Sequence, residues 1–272
     1  MDGLSNIDGI KIERESLKGF RVDTVRVLSH EDVVLFKKQI GTYITIHLGV
    51  PIHELRGVTD IGDCLAQVLQ RVLGPYFRRN LCVCGIGNRN IKSDALGLES
   101  VSKLPTKFLN TFDQTRSNFG NVYSVSVDVE WYTNISLPTF IASVVAATKS
   151  DCVLLIDSIA AENYDQLYRD IQISDTGSMT THIRNKKVDW SILGVPVISV
   201  GVPTAIPAVS LFPDAASSVE LLTSVHIDTV IAAAGTIIAY ALIRTCWPLL
   251  SKETCFGCTK LEKDPFPFMD MG

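Results

Sequence analysis

The sequence predicts an α/β fold: a mostly parallel sheet with helices on both faces, preceded by N-terminal strands. Three observations carry that reading. From about residue 80 onward, strand-length apolar runs alternate with segments of helical spacing, the pattern of a sheet built by crossover connections. Cys152–Ile156 (CVLLI) and Val195–Val200 (VPVISV) are nearly unbroken apolar runs, as strands covered on both faces should be. Residues 8–50 instead alternate apolar and polar side chains in part, which marks half-buried strands.

The elements follow in order. Asp8-Gly9 opens IKIERE and Phe20–Leu28 reads FRVDTVRVL, so residues 8–30 form paired strands. Gly41–Leu48 (GTYITIHL) is β-branched and alternating, another strand. Over Ile61–Leu73, Leu65, Val68, Leu69 and Val72 recur at helical spacing and make an amphipathic helix. Leu81–Cys84 is a short buried strand ending in Gly85, with Ala95–Lys103 as the helix after it. Val122–Val127 is a strand and Leu137–Thr148 a helix. Cys152–Ile156 and Val195–Val200 are the next strands, and Ala215–Thr223 and Asp228–Ile243 are helical by composition. Residues 1–250 are expected to form a single domain, with its N-terminal strands at about 8–50, and residues 251–272 a loose tail. The longest apolar stretch, Val230–Ile243, has about 14 residues against the roughly 20 of a spanning helix. Asp228 and Arg244 bound it, so it is expected to be buried in the protein or a subunit interface, not in a bilayer.

Composition narrows the function classes. The 272 residues are 46% hydrophobic and 20% charged, which excludes disordered and fibrous classes. With 25 basic against 29 acidic residues the net charge is −4, and a sequence-independent nucleic-acid binder would be basic. Seven cysteines and an N-terminus without an apolar signal region point to free thiols in a reducing cytoplasm. Cys255-Phe-Gly-Cys258 is a lone CxxC; with Cys246 single and His226 far upstream it lacks the four ligands of a zinc site. No metal and no cofactor is assigned.

Two carboxylates stand out. Asp157 directly follows CVLLI, and Asp94 follows Leu81–Cys84 by way of GIGNRNIKS. In an open α/β sheet, chemistry gathers beyond the carboxyl ends of strands. Two acids held close there share a proton, so one can activate water while the other protonates a leaving group. Both also precede possible helices and are open to a second reading as helix caps. Gly85-Ile86-Gly87-Asn88 is a glycine turn after a strand; Asn90 stands where a dinucleotide fingerprint needs a third glycine. Its glycines let backbone approach the site, and Gly87 and Asn88 are expected to contact substrate. Ile171–Gly177 (IQISDTG) reads as a third loop, whose Asp175 and Thr176 are candidate substrate contacts, and Gly201–Thr204 (GVPT) as a fourth at the same edge.

These loops in this order resemble the germination protease, or spore protease, family. The matching stretches are Asp8–Lys11, Gly41–Thr45, GIGNRNIKSDALG at 85–97, LLIDSIAA at 154–161, IQISDTG at 171–177 and LGVPVISVGVPT at 193–204. The resemblance covers about residues 8–210. It implies a cytoplasmic endopeptidase of the spore core that degrades small acid-soluble spore proteins, assembles as a homo-oligomer and has no membrane or direct nucleic-acid partner. It further implies an aspartic-type mechanism on the acids of the D-A-L-G and I-D-A-L-A motifs, here Asp94 and Asp157, and a fold similar to hydrogenase maturation proteases. Departures accompany the match. The family's glycine-rich loop after D-T-G is replaced by Ser178–Asn185 (SMTTHIRN), its T-G-x-E-T helix start by Ser136–Phe140 (SLPTF), and an expected arginine by Glu162. The match begins near residue 8, so control by an N-terminal prosegment is not expected. A non-catalytic homologue acting as a binding or regulatory protein is the alternative. A nickel-recognising maturation endopeptidase would need a carboxylate-plus-His set that is not evident.

Overall fold

In a computed structural model, residues 3–7, 9–29, 38–104, 117–128, 134–179, 188–212, 220–250 and Cys255 are described. The chain opens with four antiparallel strands: β1 (Gly3–Ile7), β2 (Ile10–Leu17), β3 (Phe20–Val27) and β4 (Gly41–His47). The β2–β3 turn is Lys18-Gly19, both residues at positive φ, as a two-residue hairpin of matching twist requires. Helix α1 (Thr59–Leu73) then lays Ile61, Leu65, Val68 and Leu69 into the main core, as its spacing predicts.

The crossover half follows. β5 is Leu81–Ile86, α2 Leu96–Ser102, β6 Val122–Val127, α3 Leu137–Thr148 and β7 Cys152–Ala160. β8 is Asp170–Ser174, α4 Trp190–Leu193, β9 Val197–Pro207, α5 Ala208–Leu211, β10 Leu221–Leu222 and α6 Ile227–Cys246. Among the described residues these strands form one ten-stranded sheet, ordered β1-β2-β3-β4-β8-β9-β7-β5-β6 with β10 paired to the end of β9. β6, β5, β7 and β9 are mutually parallel. β8 enters antiparallel between β9 and β4 and joins the two halves.

Both faces of the parallel part are covered. Leu154 and Ile156 of β7 belong to the core shared with α1 and α6, while Val153 and Leu155 pack with Leu137, Ile141 and Val145 of α3. The helix start that departs from the family is capped in its own way: the Ser136 hydroxyl accepts the Thr139 N–H and Pro138 sits in the first turn.

Several boundaries differ from the sequence reading. β7 does not stop at Ile156: it runs on through Asp157 and Ser158, because β9 continues its ladder beside it. Gly201–Thr204 is accordingly strand, not loop. Ile171–Ser174 is also strand, leaving only Asp175–Gly177 as the turn. Of the helix expected over 215–223, residues 213–219 lie outside the described residues, and Leu221–Leu222 forms β10. α6 is longer than its apolar run and has the length and composition of a membrane span, yet 83% of its most apolar window is buried inside the fold. Of the expected tail, only Cys255 is described, and it is buried; Cys258 lies outside the described residues.

Candidate functional site at the carboxyl edge of the parallel strands

β5 and β7 are parallel neighbours with Gly85 paired to Ile156, so their carboxyl ends meet. Asp157 is inside β7, paired to Gly201 of β9, and only 5% exposed. By alternation its side chain shares the α3 face with Val153 and Leu155. Asp94 is half-buried and closes a 3-10 turn, Lys92–Asp94, in the loop after β5. Neither position is a helix cap: Asp157 is mid-strand, and the N-cap of α2 is Ala95.

The loop that carries Asp94 is folded on itself and anchored twice. Asn88 N–H donates to the Asp94 carbonyl at 3.0 Å, and Asp94 N–H donates to the Ile91 carbonyl at 2.8 Å. The Asn88 side chain turns inward as well, its Oδ1 accepting Asn90 N–H at 2.9 Å, so Asn88 shapes the turn. The Thr204 hydroxyl of β9 donates to the Ser93 carbonyl at 2.6 Å. Leu96 N–H reaches Ser158 Oγ of β7 at 3.4 Å. The residue after Asp157 thus holds the chain two residues beyond Asp94, which ties the two acid-bearing segments together.

Glycine is required where these backbones converge. A Cβ on Gly87 would lie 2.1 Å from the Asp94 carbonyl oxygen. A Cβ on Gly97, the glycine of D-A-L-G, would lie 2.3 Å from the Ile156 carbonyl oxygen and 2.3 Å from Ile86 N. The start of α2 therefore seats directly on β5 and β7, and that contact positions Asp94.

Asp175 and Thr176 are elsewhere. Because β8 runs antiparallel to β9, its carboxyl end points to the amino ends of the parallel strands. The D-T-G turn lies at the opposite edge from Asp94 and Asp157, not at the shared edge expected. Asp175 Oδ1 accepts Thr42 N–H at 2.7 Å, and Thr176 Oγ1 pairs with Ser174 Oγ at 2.8 Å, so the turn stitches β8 to β4. The chain then doubles back: Met179 Cε lies 3.1 Å from where a Cβ on Gly201 would be, beside Asp157. The rest of the altered loop, from residue 180, is outside the described residues.

The sequence reading missed a third acid of the same kind. Asp128 directly follows β6, one of its oxygens lies 3.4 Å from Arg89 N, and its Oδ1 is buried without a hydrogen-bond partner among the described residues. The strand-end rule that selects Asp94 and Asp157 would also have found it. Thr204 was read as a loop residue and Ser158 as the start of a possible helix, although their anchoring role depends on their being strand. Among the described residues no group of three or more His, Cys, Asp or Glu is arranged to hold a metal ion. The six described cysteines are buried; burial pushes the thiols of Cys64 and Cys152 up to about 12, which makes those two poor nucleophiles, whereas the hydrogen bond with Cys84 lowers Cys82.

A family model described as germination protease matches residues 2–223. A germination protease of Clostridium perfringens is 31% identical over 217 residues, covering 77% of this chain and 67% of that protein. One from Oceanobacillus iheyensis is 30% identical over 222 residues, covering 76% of this chain and 59% of that one. The matched region thus spans 59–67% of the length of these relatives. Among solved structures, a NiFe hydrogenase maturation protease from Thermococcus kodakarensis aligns with 64% of this chain and 98% of its own, at 19% identity and a TM-score of 0.34.

Proposed function

The chain belongs to the germination protease family, and from that premise we propose that it is an aspartic-type endopeptidase in which Asp94 and Asp157 are the catalytic pair. The observation that supports this most is the placement of both acids at one sheet edge, on the loops and strands of two parallel neighbours joined by the Leu96–Ser158 hydrogen bond. Gly87 and Asn88 shape the turn and border the substrate path. In this reading the ionised carboxylate takes a proton from water, whose oxygen attacks the peptide carbonyl carbon. The protonated partner hydrogen-bonds the carbonyl oxygen as charge develops. The tetrahedral intermediate then collapses with cleavage of the C–N bond, and the proton taken from water passes to the leaving amine.

The substrate proposed is the class that the family resemblance implies, small acid-soluble spore proteins in the spore cytoplasm, cleaved by a homo-oligomer without a metal or cofactor. Residues 1–250 act as one peptidase domain. The test is cleavage of a purified spore protein by wild type, Asp94→Asn and Asp157→Asn, with fragments read by mass spectrometry and thermal melts in parallel. Wild type is expected to cleave, and each variant to be slower by at least ~10²-fold with its fold intact, since Asn is nearly isosteric but shuttles no proton. Wild-type rates in both variants would sink the aspartic mechanism. A folded wild-type protein that leaves the spore protein whole would contradict the enzyme reading.

A further inference from the structure

Thr204 closes the G-V-P-T stretch, and its environment is fully specified. The residue is 1% exposed, and its hydroxyl donates at 2.6 Å to the carbonyl of Ser93, the residue before Asp94. Its own carbonyl accepts from Thr223 Oγ1 at 2.9 Å. Thr223 Oγ1 is in turn 2.9 Å from the Tyr168 hydroxyl, which accepts Ser224 N–H at 2.7 Å. Each hydroxyl has one proton, so only one polarity satisfies the chain. Thr223 spends its proton on Thr204, hence it accepts from Tyr168, and Tyr168 takes the Ser224 N–H on a lone pair. Tyr168 also donates its backbone N–H to the Pro203 carbonyl at 2.9 Å. It does so at φ 62°, a left-handed conformation that bulky residues rarely adopt. Strained backbone, the buried side chains of Tyr168 and Thr204 and a one-way relay through the exposed Thr223 all converge on Thr204 and, through it, on the turn that carries Asp94.

We propose that Thr204 is a positioning residue for the hydrolytic reaction: its hydroxyl fixes the Ser93 peptide plane and so aims the Asp94 carboxylate, while Tyr168 and Thr223 hold Thr204 in place. The proposal rests on the reading of Asp94 as catalytic. It does not require Thr204 to touch substrate. Its physical content is that the turn has a second stable aim once the 2.6 Å bond is gone, and a misplacement of ~1 Å is enough to cost about 10²-fold in rate.

Two substitutions separate positioning from packing. Thr204→Val keeps the shape and removes the hydroxyl; Thr204→Ser keeps the hydroxyl and trims a methyl. With a purified spore protein as substrate, Thr204→Val is expected to lower kcat at least ~10-fold with KM changed less than about twofold, and Thr204→Ser to recover most of that loss. Hydrogen exchange followed alongside is expected to show lost protection at residues 87–96 in Thr204→Val alone, with the middle of α6 unchanged. Unchanged kcat and exchange in Thr204→Val would overturn the proposal, as would Thr204→Ser behaving like Thr204→Val. A general loss of protection would overturn it too, because the hydroxyl would then be structural. If wild type cleaves nothing, the peptidase reading fails and this proposal, which rests on it, fails with it; cleavage by wild type with unchanged kcat in Thr204→Val fails this proposal alone.

Discussion

His47 stands between carboxylates on neighbouring strands, Asp170 at 2.9 Å and Asp23 at 3.3 Å. The hydrogen bond to Asp170 is the main cause that raises its pKa, against the opposing effect of burial. The charged imidazole therefore favours the folded state. That stability is full below the unfolded value, near 6.5, and is lost as pH rises through the raised folded value. His53 has the opposite sign: burial, against the opposing charge of Glu54 and with a smaller push from the stacked His226, lowers its pKa, so its protonation opposes folding as pH falls. Urea titrations from pH 5 to 9 should show His47→Gln less stable than wild type at acid pH, with the gap closing as pH rises. The gap should stay below about 1 kcal/mol because the pair is partly exposed. His53→Gln should gain on wild type at acid pH; the reverse ordering of the two variants would contradict the assigned causes. At this scale the position of Asp94, in the loop beyond β5, was legible because an apolar strand run precedes it. Asp128 obeys the same rule and went unread because no motif drew attention to it. The bonds of Asp175 could not be read, since they depend on which way β8 runs.

At the scale of elements, the seat of α2 is the feature on which the site depends. Gly97 meets backbone on two strands at 2.3–2.4 Å, whereas Gly235 in α6 would place a Cβ 2.8 Å from Glu99 Cγ, part of a flexible side chain. Backbone cannot yield and a side-chain methylene can. Gly97→Ala should therefore destabilise by about 3 kcal/mol or more, at the upper end of overpacking costs, and displace Asp94. Gly235→Ala should fall within about 1 kcal/mol of wild type, because the better helix propensity of Ala offsets the shift of Glu99. Thermal melts of the two variants check this, and equal effects would contradict the distinction. The core elements β5, α2, β6, α3 and α1 were legible because apolar runs and helical spacing survive without knowledge of partners. The ends of β7 and β9 were not. A charged residue such as Asp157 ends an apolar run in sequence, but a strand ends only where its hydrogen-bonding neighbours do. Likewise Ile171–Ser174 was hidden by the turn residues that follow it.

For the whole molecule, the alternation of strands and helices was enough to give helices on both faces of a parallel core. It was silent on the antiparallel entry of β8, because direction is fixed by a pairing between segments far apart in sequence. That one reversal sends the D-T-G turn to the far edge and leaves Asp94, Asp128 and Asp157 at the near one. α6 shows the same dependence on context. Its length and composition would suit a bilayer, but Asp63 of α1 accepts the Tyr240 hydroxyl at 3.1 Å and faces Arg244 Nε at 3.5 Å, and the helix is enclosed by protein. The intact chain is accordingly expected in the aqueous fraction of a lysate; recovery only in detergent extracts of membranes would contradict this packing. The central claim is that the two acids act as one catalytic unit, and a double-mutant cycle on kcat/KM tests it most directly. With a spore protein as substrate, Asp94→Asn and Asp157→Asn should each lose at least ~10²-fold, and the double variant should lose little more than the worse single one, because a unit already broken cannot be broken twice. Multiplicative losses, or a single variant with wild-type kcat/KM, would contradict it.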